Sequence, residues 1–254
     1  MAVQINFENI VNFRNFAEIK TRDNRSIKND KVYRSALLDF ASPQDLDQLI
    51  NIAPDVIFDF RMTEEKHQEQ LKLLASMISY QAKPIDVGNF FTKDEIKKLT
   101  QLTEKEIDQL FITMYQAFPQ KGTEQFRAVF EALSNNERVI YHCSAGKDRT
   151  GVMSYLLLSA LDVHYDDIMA NYLRSNESAE ALHQLFATHK EDNRQLEPNI
   201  IEALEPILRK VRYVEADYLN TLDQFLKQEY GGPIDYIEKV LQINIPRLQK
   251  YLLA

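Results

Sequence analysis

The chain has 254 residues, 44% hydrophobic and 27% charged, with a formal net charge of -8. Such a composition suits a globular protein with ample material for a core, and its acidity argues against a general binder of nucleic acid or anionic membrane. The single cysteine, Cys143, rules out an intrachain disulfide and any need for an oxidising compartment.

The opening stretch "MAVQINFENIVNF" has no basic segment followed by an apolar one, so no signal peptide is expected. The longest apolar runs, around "YLLLSAL", are too short to span a bilayer. A cytoplasmic location without integral membrane contact follows, and export without a cleaved signal stays open.

No internal repeat or low-complexity linker interrupts the chain, so 1–254 reads as one domain. "KVYRSALL" (31–38) and "DVIFDF" (55–60) read as short strands, the second a buried apolar run. Between them, "SPQDLDQLI" predicts a helix capped by Ser42 with Pro43 in its first position. A third strand is expected within "SMISYQAKPI" and a fourth in "RVIYHC" (138–143).

Thr92 with Glu95, and Thr103 with Glu106, have the spacing of capping boxes. After Thr103, the set Ile107, Leu110, Phe111, Met114, Tyr115 and Phe118 follows helical spacing and reads as core or lid packing. "TEQFRAVFEAL" and "RTGVMSYLLLSAL" predict two more helices, and three or four follow to the end, one opened by Pro198 and one broken by "YGGP". The fold class is α/β: a mainly parallel sheet of four or five strands flanked by helices, with a helical C-terminal part from 162 to 254.

The chemistry concentrates in "YHCSAGKDRTG". A strand runs into His142 and Cys143, and a helix begins near Arg149 and Thr150. A loop in that position aims successive backbone N–H groups inward as an anion cradle. It comprises Ser144, Ala145, Gly146 and Lys147, with Gly146 permitting the turn and a close approach to a ligand. Gly151 allows the helix start to pack tightly. Arg149 can donate two parallel hydrogen bonds to phosphate oxygens, and Lys147 adds positive charge at the rim. Helix N-termini and nearby cations favour the thiolate, which makes Cys143 a nucleophile toward phosphorus and a phosphocysteine the expected intermediate. Thr150 can donate its hydroxyl to the departing sulfur. Asp148 weakens an anion site unless it carries a proton, and then it is a general acid. His142 supports the loop rather than acting as a base.

"HCSAGKDRTG" resembles the signature of cysteine-dependent phosphatases, His-Cys-x5-Arg-Ser/Thr, and its "GKDRTG" half is similar to the bacterial and fungal tyrosine-phosphatase branch that includes the mycobacterial and Listeria dual- or triple-specificity enzymes. "NFRNF" (12–16) resembles that branch's N-terminal element, with Asn15 in place of the usual Asp. "YRSALL" at Tyr33 is similar to its "RS" strand, "FDFR" (58–61) to its Asp-Leu-Arg with Phe60 for Leu, and "YGGPIDYIEKVLQI" to a C-terminal segment. The resemblance implies Cys143 as nucleophile, Arg149 as phosphate clamp and Asp148 as a loop-borne acid. It further implies that Lys147 assists with highly phosphorylated substrates, including phosphoinositides, and that 91–120 and the segments after Leu161 cover the pocket as a lid.

Asp59 and Arg61 read either as site residues or as a structural ion pair, and Asp59 and Asp86 are alternative acids to Asp148. Arg14 and Arg34 are read as orienting the loop's carboxylates, binding a second phosphate, or forming ordinary ion pairs. His183 and His189 are six apart and do not share a helical face, so with Glu191 and Asp192 they are set aside as a metal site. Nothing resembles a dinucleotide or Walker loop; no cofactor and no metal are expected. The leading function is phosphatase action on phosphotyrosine proteins, with phosphoserine, phosphothreonine and phosphoinositides as further substrates. A mainly phosphoinositide-directed enzyme and a non-catalytic phosphate-binding module are the alternatives. Sulfur transfer of the rhodanese type is disfavoured by five rather than four loop residues, and arsenate reduction by the lone cysteine.

Overall fold

The computed structural model describes residues 7–66, 68–86, 99–188 and 198–254. Strands β1 (Arg14–Asn15) and β2 (Val32–Ser35) pair antiparallel at one edge. Helix α1 (Pro43–Ile52) then leads to β3 (Val56–Asp59), and α2 (Gln68–Met77) to β4 (Tyr80–Ala82). Helices α3 (Glu104–Lys121) and α4 (Thr123–Ser134) precede the central strand β5 (Val139–His142). The sheet order is β1-β2-β5-β3-β4, and every pair except β1–β2 is parallel. All four expected strands are present, shortened at their ends.

The helix starts follow their local chemistry. Ser42 accepts from the Asp45 N–H and Asp45 reaches back to Ser42, a reciprocal cap with Pro43 in the first turn. Thr103 and Glu106 form the second expected box, whereas Thr92 and Glu95 lie outside the described residues. Helix α5 (Arg149–Ala160) follows the cysteine loop, and its residues from Arg149 to Leu158 are all buried. A helix apolar all round belongs in a protein interior, and α5 runs through the centre of the main core.

Beyond it lie α6 (Tyr165–Leu173), α7 (Ala179–Thr188), α8 (Pro198–Arg212), α9 (Ala216–Tyr230) and α10 (Ile245–Leu252). These are five helices of eight residues or more among the described residues, against three or four expected. The extra break is a 3-10 turn at Arg174–Ser178 that contains neither Gly nor Pro and so leaves no mark in the sequence. At "YGGP" the break is as expected: Gly231 and Gly232 take φ of 87° and 129°, and Pro233 opens the next turn. Among the described residues no helix is long and apolar enough to cross a membrane.

The register brings function to one edge. Ser35 of β2 and Asp59 of β3 both lie opposite His142 of β5, so three strands end together at their carboxyl ends, directly before Cys143. Open parallel sheets bind ligands at that end. Leu156 of α5 is fully buried. Leu156→Ala is expected to cost about 2–5 kcal/mol of stability, read from the midpoint of urea unfolding with little change in its slope.

Candidate active site

Cys143 is 2% exposed, at the end of β5. The Thr150 hydroxyl donates to its Sγ at 3.2 Å, which sets a donor on the sulfur from the first turn of α5. Between them the loop is held by its carbonyls. The Ser144 carbonyl accepts from Leu37 N at 3.0 Å. The Ala145 and Gly146 carbonyls accept from Asn12 Nδ2 at 3.0 and 3.1 Å, and Gly146 also accepts from Arg34 Nη2 at 2.7 Å. In a trans peptide the carbonyl and the following N–H point in opposite directions. Fastening three carbonyls to the scaffold therefore turns the N–H groups of Ala145, Gly146 and Lys147 the other way, as an anion cradle requires.

Gly146 has φ +68°, and a Cβ there would lie 2.3 Å from the Ser35 carbonyl oxygen. The glycine thus permits both the turn, as expected, and a close approach to the end of β2. Gly151 packs as expected: a Cβ would lie 3.0 Å from the Tyr172 ring.

Arg34 and Arg14 sit beneath the loop rather than among its carboxylates. Arg34 is fully buried and bonds Asn171 Oδ1, Ser175 Oγ and the Gly146 carbonyl. Arg14 bonds the Asn12 side chain, the Asn171 carbonyl and Ser175 Oγ. Among the described residues neither forms an ion pair with a carboxylate within 4.0 Å, and the two guanidiniums repel each other. Burial, followed by Arg34, pushes Arg14 downward. Because arginine keeps its proton, this pair is fixed positive charge under the cradle.

Arg149 is clamped by a residue that the sequence reading missed. Its Nη1 and Nη2 donate to Glu65 Oε2 and Oε1 at 2.7 and 2.5 Å, and Nη1 also meets the Phe60 carbonyl at 3.1 Å. Glu65 Oε1 accepts from Ser144 Oγ at 2.6 Å as well. Glu65 takes the end-on edge of the guanidinium. The side edge, Nε–H with one Nη2–H, has no hydrogen-bond partner among the described residues, and that edge has the fork shape that fits an oxyanion. Burial acts to raise the Glu65 carboxyl, but Arg149, Ser144 and the Met62 N–H outweigh it and hold it below the usual range. The only signal in the sequence was an acidic residue four places beyond Arg61, which chance supplies readily in a chain with 38 acidic residues.

Asp59 and Arg61 form a buried ion cluster. Arg61 grips Asp39 through two nitrogens at 2.7 and 3.0 Å and Asp59 through Nε at 3.0 Å, all three residues being 0% exposed. Its Nη1 also reaches the Glu65 carbonyl at 3.4 Å, so this cluster braces the turn that carries the clamp. Burial acts to raise the Asp59 carboxyl, but His142, Arg61 and the Tyr80 hydroxyl hold it far below the usual carboxylate range. Asp59 therefore stays ionised and is a poor general acid. His142 is buried, which pushes its imidazolium down against the pull of Asp59; its Nδ1 lies 3.1 Å from the Cys143 carbonyl and its Nε2 3.3 Å from Tyr80 Oη. Asp86 is exposed after β4. His183 is exposed on α7, and His189, Glu191 and Asp192 lie outside the described residues.

Lys147 is 4% exposed and does not stand free at the rim: its Nζ lies 2.9 Å from Asp148 Oδ2 and 3.1 Å from Oδ1. Asp148 Oδ1 also accepts from Tyr115 Oη at 2.8 Å. Asn15, the departure from the family element, anchors the Asn29 carbonyl away from the cradle. Phe60 packs its ring on Phe126 and Tyr141, and only its carbonyl reaches Arg149.

Two substitutions test this geometry. Gly146→Ala is expected to destabilise the protein by about 1–3 kcal/mol from the left-handed backbone alone, with overlap at Ser35 adding to it, measured by thermal unfolding. Glu65→Gln keeps the shape but loses the charged fork, and a fall in kcat/KM of roughly ten- to a hundredfold on an aryl phosphate is expected. Because the Glu65 carboxyl is held low, the stabilisation from the fork is fully present above the ordinary range and is lost as pH falls through the lowered value. Wild type should therefore lose its stability margin over Glu65→Gln only in acid.

The sequence was compared with known proteins. The profile of the tyrosine phosphatase family matches residues 5–254. A provisionally named tyrosine-protein phosphatase of Cupriavidus necator is 28% identical over 248 residues, 98% of this chain and 88% of its own. The triple specificity protein phosphatase PtpB of Mycobacterium tuberculosis is 31% identical over 153 residues, 55% of this chain and 53% of that protein. A solved structure of Pseudomonas aeruginosa TpbA with pTyr is 11% identical over 72% of this chain and 90% of that one; its TM-score of 0.35 adds nothing to the assignment. With the profile matching nearly its whole length, the chain belongs to the tyrosine phosphatase family and is a phosphatase.

Proposed function

We propose that this phosphatase hydrolyses phosphotyrosine in proteins through a phosphocysteine on Cys143. The observation that carries the reading is the convergence on one buried sulfur: a hydroxyl donor at 3.2 Å from Thr150, an outward-fastened loop, and an arginine whose end-on edge is already occupied by Glu65. The phosphate dianion enters the cradle of N–H groups and takes the free edge of Arg149. Sγ attacks phosphorus while the bond to the tyrosyl oxygen breaks, and Asp148 transfers its proton to that oxygen. Water then attacks phosphorus and gives a proton to the Asp148 carboxylate, the S–P bond breaks, and the Thr150 hydroxyl stabilises the departing thiolate. Arg14 and Arg34 supply positive potential from below at no cost in reorganisation.

Lys147 pairs with Asp148, which favours a role in the acid's surroundings over a dedicated role in phosphoinositide binding. Phosphoserine, phosphothreonine and phosphoinositides are proposed as secondary substrates. Residues 1–254 are taken as one catalytic domain, because the main core runs from Phe16 to Leu253. Of the cover proposed over 91–120, residues 91–98 lie outside the described residues, and α3 is built into that core. A lone nucleophilic thiol with no resolving cysteine suits a reducing compartment, and the cytoplasm is the proposed location.

The reading is tested with purified protein in the presence of a chelator. Release of phosphate from an aryl phosphate is expected, and Cys143→Ser should abolish turnover yet retain phosphate binding. A fully active Cys143→Ser protein would refute the mechanism. Arg149→Lys is expected to lose roughly a hundredfold in kcat/KM, since a point charge cannot replace the planar fork. A panel of phosphotyrosine, phosphoserine and phosphothreonine peptides and phosphoinositides should rank phosphotyrosine first.

A further inference from the structure

The helix placed in the core by its apolar spacing delivers one polar atom to the catalytic loop. Tyr115 of α3 is 0% exposed, with its ring against Phe118 and Tyr218. Its hydroxyl nevertheless donates to Oδ1 of Asp148, 33 residues further along the chain, at 2.8 Å. A second hydroxyl completes the arrangement: Tyr172 Oη lies 2.6 Å from Tyr115 Oη, and Tyr172 is 2% exposed. Tyr172 comes from α6, and it stands where a side chain on residue 151 would lie. Gly151, directly after Arg149 and Thr150 in the loop signature, thus makes the room that Tyr172 occupies.

We infer that Tyr115 is a positioning residue for Asp148, held in turn by Tyr172, and that this pair of hydroxyls directs the proton that Asp148 gives to the leaving group. The inference rests on the proposed role of Asp148 as general acid. Tyr115 donates to Oδ1 and so fixes the plane of the carboxyl group from which the proton leaves. As the Sγ–P bond forms and the P–O bond breaks, that proton passes from the Asp148 carboxyl to the ester oxygen. The carboxylate left behind is stabilised by the Tyr115 hydroxyl and the Lys147 ammonium, which are already in place. Tyr115 stays neutral throughout: burial, followed by the charge of Asp148, raises its hydroxyl well above the usual tyrosine range. It is a donor and not a second acid.

A tyrosine that only packs and one that aims an acid differ in a measurable way. Help from an acid matters for a poor leaving group and hardly at all for a good one. Tyr115→Phe keeps the ring and removes the hydroxyl. On an alkyl or unsubstituted phenyl phosphate it is expected to lose roughly tenfold or more in kcat/KM relative to its loss on 4-nitrophenyl phosphate. Asp148→Asn is measured beside it and should show the same selectivity, larger. In the Asp148→Asn background, Tyr115→Phe should cost nothing further, because its target is gone.

Equal losses on both substrates for Tyr115→Phe, with Asp148→Asn selective, would overturn the inference and leave the acid assignment standing. A full Tyr115→Phe loss persisting without the Asp148 carboxylate would overturn it too. If Asp148→Asn shows no leaving-group selectivity, the acid assignment itself fails and the inference with it. Should Tyr115→Phe fail to fold, as judged by near-ultraviolet circular dichroism and thermal melting, Tyr172→Phe replaces it. That variant keeps both rings and is expected to show the same selectivity at smaller size, and its absence would count against the inference.

Discussion

The outward fastening of three peptide carbonyls governs the whole site. Ser144, Ala145 and Gly146 turn their carbonyls into the protein, where Leu37, Asn12 and Arg34 hold them. Planarity then obliges the N–H groups to face the other way. The cradle is therefore not a local property of the loop. It is imposed by residues more than a hundred positions earlier, delivered by a sheet whose strands end in one row. Gly146 is required because the backbone must press against the end of β2 while holding a left-handed φ.

Two buried sets of charges flank that loop with opposite logic. On one side Arg61 is matched by Asp39 and Asp59, with Lys66 3.4 Å from Asp59 as a second cation, so that opposite charges are paired in a fixed geometry. It holds the turn carrying Glu65, and Glu65 holds Arg149. On the other side, among the described residues, Arg14 and Arg34 bond carbonyls, amides and a hydroxyl and no carboxylate within 4.0 Å. Buried, unpaired cations are costly in a folded protein. Arg34 offsets part of that cost by holding the Gly146 carbonyl of the loop.

The helices are not passive cladding. The apolar face of α3 stacks on α9 through Phe111 and Tyr218, whose rings lie 15° from parallel. That packing sets the height at which Tyr115 meets Asp148. Loop, central helix and α6 meet where Gly151 lacks a side chain and Tyr172 fills the space. Acid, lysine and two tyrosines consequently form one hydrogen-bonded group drawn from three separate segments.

Much of this was legible along the chain. Strand–loop–helix order around Cys143, the Cys-x5-Arg-Thr spacing and the caps at Ser42 and Thr103 are local, and local chemistry decides them. The parallel sheet follows from alternating apolar strands and helices. Lys147, Arg14 and Arg34 were visible as charges but not by what they touch: Lys147 is paired with its own neighbour, and the two arginines lie under the loop. Glu65, Asn12 and Tyr115 were not picked out as site residues, because an acidic residue, an amide and a core aromatic carry no spacing that marks a role. Sequence by itself determined the setting of Cys143, since thiol, turn and helix start are contiguous. Only tertiary structure decided which groups aim that machinery, because they come from distant strands and helices and meet it through single hydrogen bonds.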